Sequence, residues 1–494
     1  MPEHRLAPAL LLPLLALGAL GGQACGSSSD DPQTSGGGGA SGGQGGGGQG
    51  GAADPKALWT SGKRLRATVT DAGGGLSRFV AWQDTQRNER CSFARTPEGV
   101  RCVPGVAALA TQFGDAQCTQ RIVQAPCGPP PTRALVLGAA CELPRVESVH
   151  AVGAKTDGSV YERDAKGACV LVGTSNVDVY AVGEPIALAS FVSASETVEP
   201  RAKPFEVRVL AGDDGSRQTV VVRDTGLGAP VRPAVATDGT TRWLPAEPAP
   251  LVDGTSYVDA ACKEPAARAG AECAPKHAWT LVSATCAAPQ REVRELGPKL
   301  GAFHAQSQGT CKAFTDTAYA GYAVGAVVPP ATFQAVTLAP AGSSRLKAKR
   351  PVDADGTALG DDQPVYDDSE RGDTCAAGIA ADGKERCIPQ GAAELLSGYA
   401  DPACTVRAAR WEPGCNAPMP TLAAGPSAPG TTTCPGPTLV LALGAPLGSP
   451  TVYAKNAAGA CGLSVVTGSS TAMYFATSTE IAPTSLVEIV TRTE

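Results

Sequence analysis

Histidine, methionine and aromatic side chains are scarce in this chain: 4 His and 3 Met among 494 residues, with Phe, Trp and Tyr together at 5%. Imidazole-based catalysis and histidine-ligated metals therefore have little to draw on. Beyond the leader, His150, His277 and His304 stand at non-equivalent places. No basic run is present, the net charge is −6 and the pI is near 5.5, so nucleic acid is not an expected partner. Outside a Gly/Ser tract the chain has no G-x-S-x-G elbow, no H-E-x-x-H, no phosphate-cradling glycine loop and no C-x-x-C. No catalytic set, metal site or cofactor is expected from these motifs. A carboxylate pair brought together only by folding would leave no such signature, so enzyme activity stays open.

Glycine, proline and cysteine are abundant: 59 Gly, 41 Pro and 17 Cys. The first two argue for turns and short strands over long helices. Residues 1–25 read as an export leader, with His4 and Arg5 before an apolar run from Leu6 to Leu20 that Pro8 and Pro13 interrupt. The small residues leading to Cys25 resemble a bacterial lipoprotein signal, which implies lipidation of Cys25. Residues 26–56 form a Gly/Ser tether with nothing to bury. A tether of that length spans ~30 Å as a coil, enough to hold a folded part off a membrane surface.

The remainder repeats at a period of about 145 residues and divides into modules 57–200, 201–344 and 345–494. Each opens with an alternating strand and hairpin turn: "RLRATVTDAGGG", "FEVRVLAGDDGS", "RLKAKRPVDADG". A second strand ends at Asp84, Asp224 or Asp368, and seven residues on stands Cys91, Val231 or Cys375. A glycine turn then leads to "RCVP", "RWLP" or "RCIP". "FGDAQC", "YVDAAC" and "YADPAC" follow, and later "YAVGEPIALASF", "YAVGAVVPPATF" and "YFATSTEIAPTSL".

Setting Cys25 aside, the cysteines distribute six, four and six over the modules, an even count that in an exported chain implies disulfides. The middle module lacks both cysteines of the glycine hairpin. Their joint loss leaves no orphan, which supports Cys91–Cys102 and Cys375–Cys387 as bridges, each stabilising by about 3 kcal/mol in the entropic account. Val231 and Trp243 take their place as an apolar cross-strand contact. For the other four cysteines of each module, spacing allows three connectivities. The preferred set is local: Cys118–Cys127, Cys141–Cys169, Cys262–Cys273, Cys286–Cys311, Cys404–Cys415 and Cys434–Cys461.

Asp115, Asp259 and Asp401 recur three residues before a cysteine and two after an aromatic residue. They can serve as ligand carboxylates, but capping of a turn is the favoured reading. Arg101, Arg242 and Arg386 are expected to pair with Asp84, Asp224 and Asp368. The acidic turns "AGDDGS" and "DADGTALGDD" suit Asp-Gly turn chemistry better than calcium, lacking the EF-hand ligand spacing. The tripeptide Arg371–Asp373, "RGD", is too short to carry an adhesion assignment.

The combination of "FVAWQDT" with its cysteine hairpin, "Y-x-D-A-A-C" and "YAVG" resembles repeat-containing exported proteins and lipoproteins common in myxobacteria. That resemblance implies a compartment and an architecture, with no catalytic residues to carry over. The fold class expected is all-β, as six half-modules closing into a β-propeller, or as a string of three β domains. The function expected is a non-catalytic, lipid-anchored envelope module, on the outer membrane, that binds a glycan or an envelope protein. The alternatives are a secreted hydrolase on the same propeller and a purely structural envelope component.

Overall fold

The computed structural model describes residues 58–494 except 106–111, 126–130, 139–142, 164–166, 176, 247–255, 271–274, 284–289, 308–309, 315–318, 361–364, 413–418, 428–435, 449–450, 457 and 466–471. Cys25, Cys127, Cys141, Cys273, Cys286, Cys415 and Cys434 lie outside the described residues, as do the leader and the tether. Among the described residues the regular structure is all β apart from three single-turn 3₁₀ segments.

The first half of each module folds as a four-stranded antiparallel meander. In the first these strands are Leu65–Asp71, Ser77–Asp84, Glu89–Thr96 and Gly99–Pro104. In the second they are Phe205–Gly212, Arg217–Asp224, Ala229–Val235 and Thr241–Pro245; in the third, Leu346–Val352, Val365–Asp368, Asp373–Ile379 and Glu385–Pro389. The alternation read from sequence places Leu65, Ala67 and Val69, and Phe205, Val207 and Val209, in the core. Gly99, Gly239 and Gly383 take φ of 93°, 76° and 76° in the tight turns, a conformation that side chains with a Cβ resist.

A fifth strand joins each meander from the module before it. Ser193–Pro200 pairs along Phe205–Gly212, Thr337–Ala341 along Leu346–Val352, and Val490–Thr493 along Leu65–Asp71. The same connecting segments also bond back to the last meander strand of their own module. Ser193 pairs with Arg101, the Trp243 N–H donates to the Gln334 carbonyl, and the Cys387 N–H donates to that of Val487. Contacts between turns repeat this order. The Lys63 N–H donates to the Asp214 carbonyl, the Ala202 N–H to the Asp353 carboxylate, and the Ser343 N–H to the Gly74 carbonyl. First therefore meets second, second meets third, and third meets first.

This is a propeller-like circuit of tandem β modules, closed by the last strand completing the first sheet. Radial closure of this kind leaves few free sheet edges. It differs from six equivalent units because the circuit is made of the three meanders, each completed by the strand that ends another module. The second halves of the first two modules are four-stranded sheets, for example Ile122–Ala125, Asp178–Ile186, Val146–Lys155 and Arg133–Leu137 in that spatial order, and that of the third is part of a seven-stranded sheet. They attach to their own meanders through the parallel bridges Arg95–Arg145, Ala236–Arg291 and Ala380–Thr438. The 3₁₀ turns Leu188–Ser190, Pro330–Thr332 and Pro483–Ser485 deliver Phe191, Phe333 and Leu486 into the seams between the halves.

Cys91–Cys102 and Cys375–Cys387 are bonded, and all four sulfur-bearing side chains are buried. In the second module Val231 and Trp243 share a core cluster at the same place, with the Trp243 ring 5.1 Å from that of Phe205. The local pairing expected for the later cysteines is overturned. Cys118 bonds to Cys169, Cys262 to Cys311 and Cys404 to Cys461, at separations of 51, 49 and 57 residues. The reason is topological. The strand Ile122–Ala125 leaves Cys118 to pair with Asp178–Ile186, while a separate hairpin brings Cys169 back to it.

Candidate functional site

One composite feature recurs in all three modules: a two-stranded hairpin fastened by the long-range disulfide to an aspartate-capped turn. The hairpins are Ser159–Arg163 with Cys169–Thr174, Phe303–Ser307 with Thr310–Phe314, and Thr451–Lys455 with Cys461–Val465. Each hairpin pairs with the aromatic residue that precedes the turn. The pairs are Phe113 with Tyr161, Tyr257 with His304, and Tyr399 with Tyr453.

The aspartates build the turns. Asp115 accepts from the N–H groups of Thr119 and Gln120 and from the Thr119 hydroxyl. Asp259 accepts from the N–H groups of Ala261, Lys263 and Glu264 at 2.7–3.1 Å. Asp401 accepts from the N–H groups of Thr405 and Val406 and from the Thr405 hydroxyl. These donors favour the charged form and hold all three carboxyls below the usual range. The largest causes are the Thr119 hydroxyl for Asp115, the Glu264 N–H for Asp259 and the Val406 N–H for Asp401. The Asp carbonyls also accept from the N–H of Cys118, Cys262 and Cys404, which adopt left-handed φ of 52°, 52° and 53°. That conformation is uncommon outside glycine, and it occurs at the residue where the hairpin is fastened.

The recurrence of these residues is readable in the sequence, but the aromatic–cation stacking is not. Arg163 lies over Phe113 at 5.5 Å and Lys455 over Tyr399 at 5.3 Å. The Arg163 guanidinium also donates to the Cys118 carbonyl at 3.0 Å. The middle module has Gln306 at that hairpin position, opposite Cys311. The outer hairpin strands face solvent. Val170, Leu171 and Val172 are 43%, 61% and 58% exposed, and Leu463 is 69% exposed. Three consecutive exposed aliphatic residues on a tethered hairpin form an apolar surface fixed in place by a covalent bond.

The other sequence-marked residues serve the framework. Arg242 binds Asp238 through Nε and Nη2 at 3.0 and 2.7 Å, and Arg386 binds Asp382 at 2.9 and 2.7 Å. Their Nη1 groups donate to the carbonyls of Phe333 and Leu486, and Arg101 lies 3.8 Å from Glu98. The expected pairing with Asp84, Asp224 and Asp368 is thus overturned, because each arginine stands beside the turn acid three or four residues before it. Asp84 and Asp368 take bidentate bonds from Arg64 and Arg345 at the start of the first strand, at 2.6–2.9 Å. Pro204 occupies that position in the second module, where Asp224 accepts from the N–H groups of Gly226 and Leu227.

Asp214 and Asp353, from the calcium-like turns, accept backbone N–H groups across modules. Within "RGD", Arg371 binds Asp373 at 2.8 Å. Among the described residues no group of three or more His, Cys, Asp or Glu side chains could hold a metal ion. No helix among them is long and apolar enough to cross a membrane. The disulfide bonds among the described residues point to an extracellular or secreted protein.

Comparison with curated proteins and with solved structures returned no match to this chain. A family model, in contrast, matches it twice in overlapping registers, over residues 56–333 and 154–412, as an internal repeat would produce. The chain is thus a member of a family of unknown function, DUF7481.

Proposed function

We propose that this protein is an exported envelope module, anchored through a lipid on Cys25, that binds a glycan or another envelope protein through its fastened hairpins. The observation carrying this reading is the threefold recurrence of a solvent-facing hairpin held by a disulfide and a capped turn. Presenting a similar element three times suits multivalent attachment, in which weak individual contacts combine into firm binding. Rigidity also helps, because a covalently fixed hairpin loses little conformational entropy on binding. The lipoprotein signal, the tether and the resemblance to myxobacterial exported proteins support placement at the cell surface, with the outer membrane as the proposed site.

The test compares the full chain with a variant carrying Val170→Ser, Leu171→Thr and Val172→Ser, on a glycan array and in pull-downs from envelope extract. Selective retention of a defined glycan or envelope protein by the parent, reduced tenfold or more in the variant, supports the proposal. Retention that the variant leaves unchanged refutes the hairpin as the binding element. Membrane fractionation after Cys25→Ala tests the anchor, and unchanged partitioning would reject it.

A further inference from the structure

The seam between the two halves differs among the modules at one place, independently of the hairpins. Register fixes the equivalence. Leu135 faces Val149, Trp279 faces Val293, and Ala423 faces Leu441 across the second-half sheets. Two residues further along the first strand of each pair, Leu137 faces Val146, Leu281 faces Arg291 and Gly425 faces Leu439. On the facing meander, the residue after Cys91, Val231 or Cys375 is Ser92, Arg232 or Ala376. The first module therefore has a serine and a valine here, the third has two apolar residues, and the second has two arginines.

Arg291 lies over the Trp279 ring at 4.6 Å. Its Nε is buried without a hydrogen-bond partner. Burial, followed by repulsion from Arg232, lowers its pKa to about 10. A guanidinium held near a second one in a half-buried seam opposes the fold unless a negative charge comes to it. A guanidinium stacked on an indole keeps its planar fork available for bidentate bonding to an oxyanion. The place is reachable: Arg291 pairs with Leu281, and Leu281 and its neighbour Val282 are 39% and 56% exposed at the end of that strand.

We infer that Arg291, braced on Trp279 and joined by the charge of Arg232, binds a phosphate or sulfate oxyanion in the seam of the second module. The anion can arrive as a free ion or as the charged group of a lipid headgroup, and the chemistry of recognition is the same. The buried Nε–H of Arg291 gains its acceptor, and its guanidinium gains a counter-charge.

Isothermal titration of the purified full chain with inorganic phosphate and with sulfate, at constant ionic strength against chloride, tests this directly. A parallel arm measures co-sedimentation with phosphatidylglycerol vesicles against phosphatidylcholine vesicles. Saturable binding in either arm, weakened tenfold or more by Arg291→Leu, is the expected result. Arg291→Lys keeps the charge but loses the fork, so it should weaken binding several-fold; it also serves as the reporter should the leucine variant fail to fold. Binding to free ions assigns a soluble anion, and binding only to the anionic vesicles assigns a headgroup. No saturable binding in either arm, or binding that both variants leave intact, would overturn the inference.

Discussion

The disulfide between Cys118 and Cys169 gives the sharpest prediction, because it opposes a long loop to a short one. Its residues are 51 apart, whereas Cys91 and Cys102 are 11 apart. In the chain-entropy account, closing the longer loop restrains the unfolded chain by about 4 kcal/mol and the shorter by about 3 kcal/mol. The double variant Cys118→Ala/Cys169→Ala should therefore lose about 4 kcal/mol in urea titration, more than Cys91→Ala/Cys102→Ala. A second readout is chemical. Neither double variant should show any free thiol beyond the parent when denatured and titrated with a thiol reagent, because each removes both partners of one bond. Two additional thiols in Cys118→Ala/Cys169→Ala would mean that Cys127 and Cys141 had been the partners, and would refute the long-range connectivity.

Trp243, only 1% exposed, fills the place of a disulfide, so Trp243→Ala should cost about 3–5 kcal/mol in the same titration. A loss below about 1 kcal/mol would show that the second module does not rely on this packing. Removing residues 490–494 uncovers the edge of Leu65–Asp71, and the expected outcome is concentration-dependent association in light scattering; a monomer with unchanged melting would count against closure by that strand. Asp368 links stability to pH. Burial pushes its carboxyl up, but hydrogen bonds from Arg345 and from the Arg371 and Glu370 N–H groups outweigh this and leave its pKa lowered. Its contribution is therefore present above the unfolded carboxylate pKa of about 4 and disappears as pH falls through the lower folded value. Asp368→Asn should be less stable at neutral pH, with a shallower stability loss below about pH 4; an unchanged acid profile would reject the linkage.

Several features are legible in the amino-acid sequence alone. Alternation at Leu65, Ala67 and Val69 marks a strand, because strand side chains alternate faces with period two. The joint loss at Val231 and Trp243 marks a disulfide, because cysteines vanish in bonded pairs. Asp115, Asp259 and Asp401 are readable as turn caps, because a short carboxylate satisfies nearby N–H groups through local geometry. All of these depend on neighbours within about a dozen residues. The pairing of Arg64 with Asp84 and of Arg345 with Asp368 escapes that reading although a signal exists. An arginine opens the first strand of the two modules that keep the hairpin disulfide, and Pro204 replaces it in the second module.

Composition, periodicity and cysteine parity thus determined the β class, the threefold repeat and the oxidised state, since each follows from local chain chemistry. Which cysteine meets Cys118, which strand completes each sheet, and that Val490–Thr493 returns to Leu65–Asp71 were decided only by tertiary structure. Those contacts join residues tens to hundreds of positions apart, and their selection depends on how whole sheets pack and close. The seam that sets Arg291 before Arg232 belongs to the same class: each arginine is an ordinary surface residue in sequence, and only the packing of one half-module on the other makes them a pair.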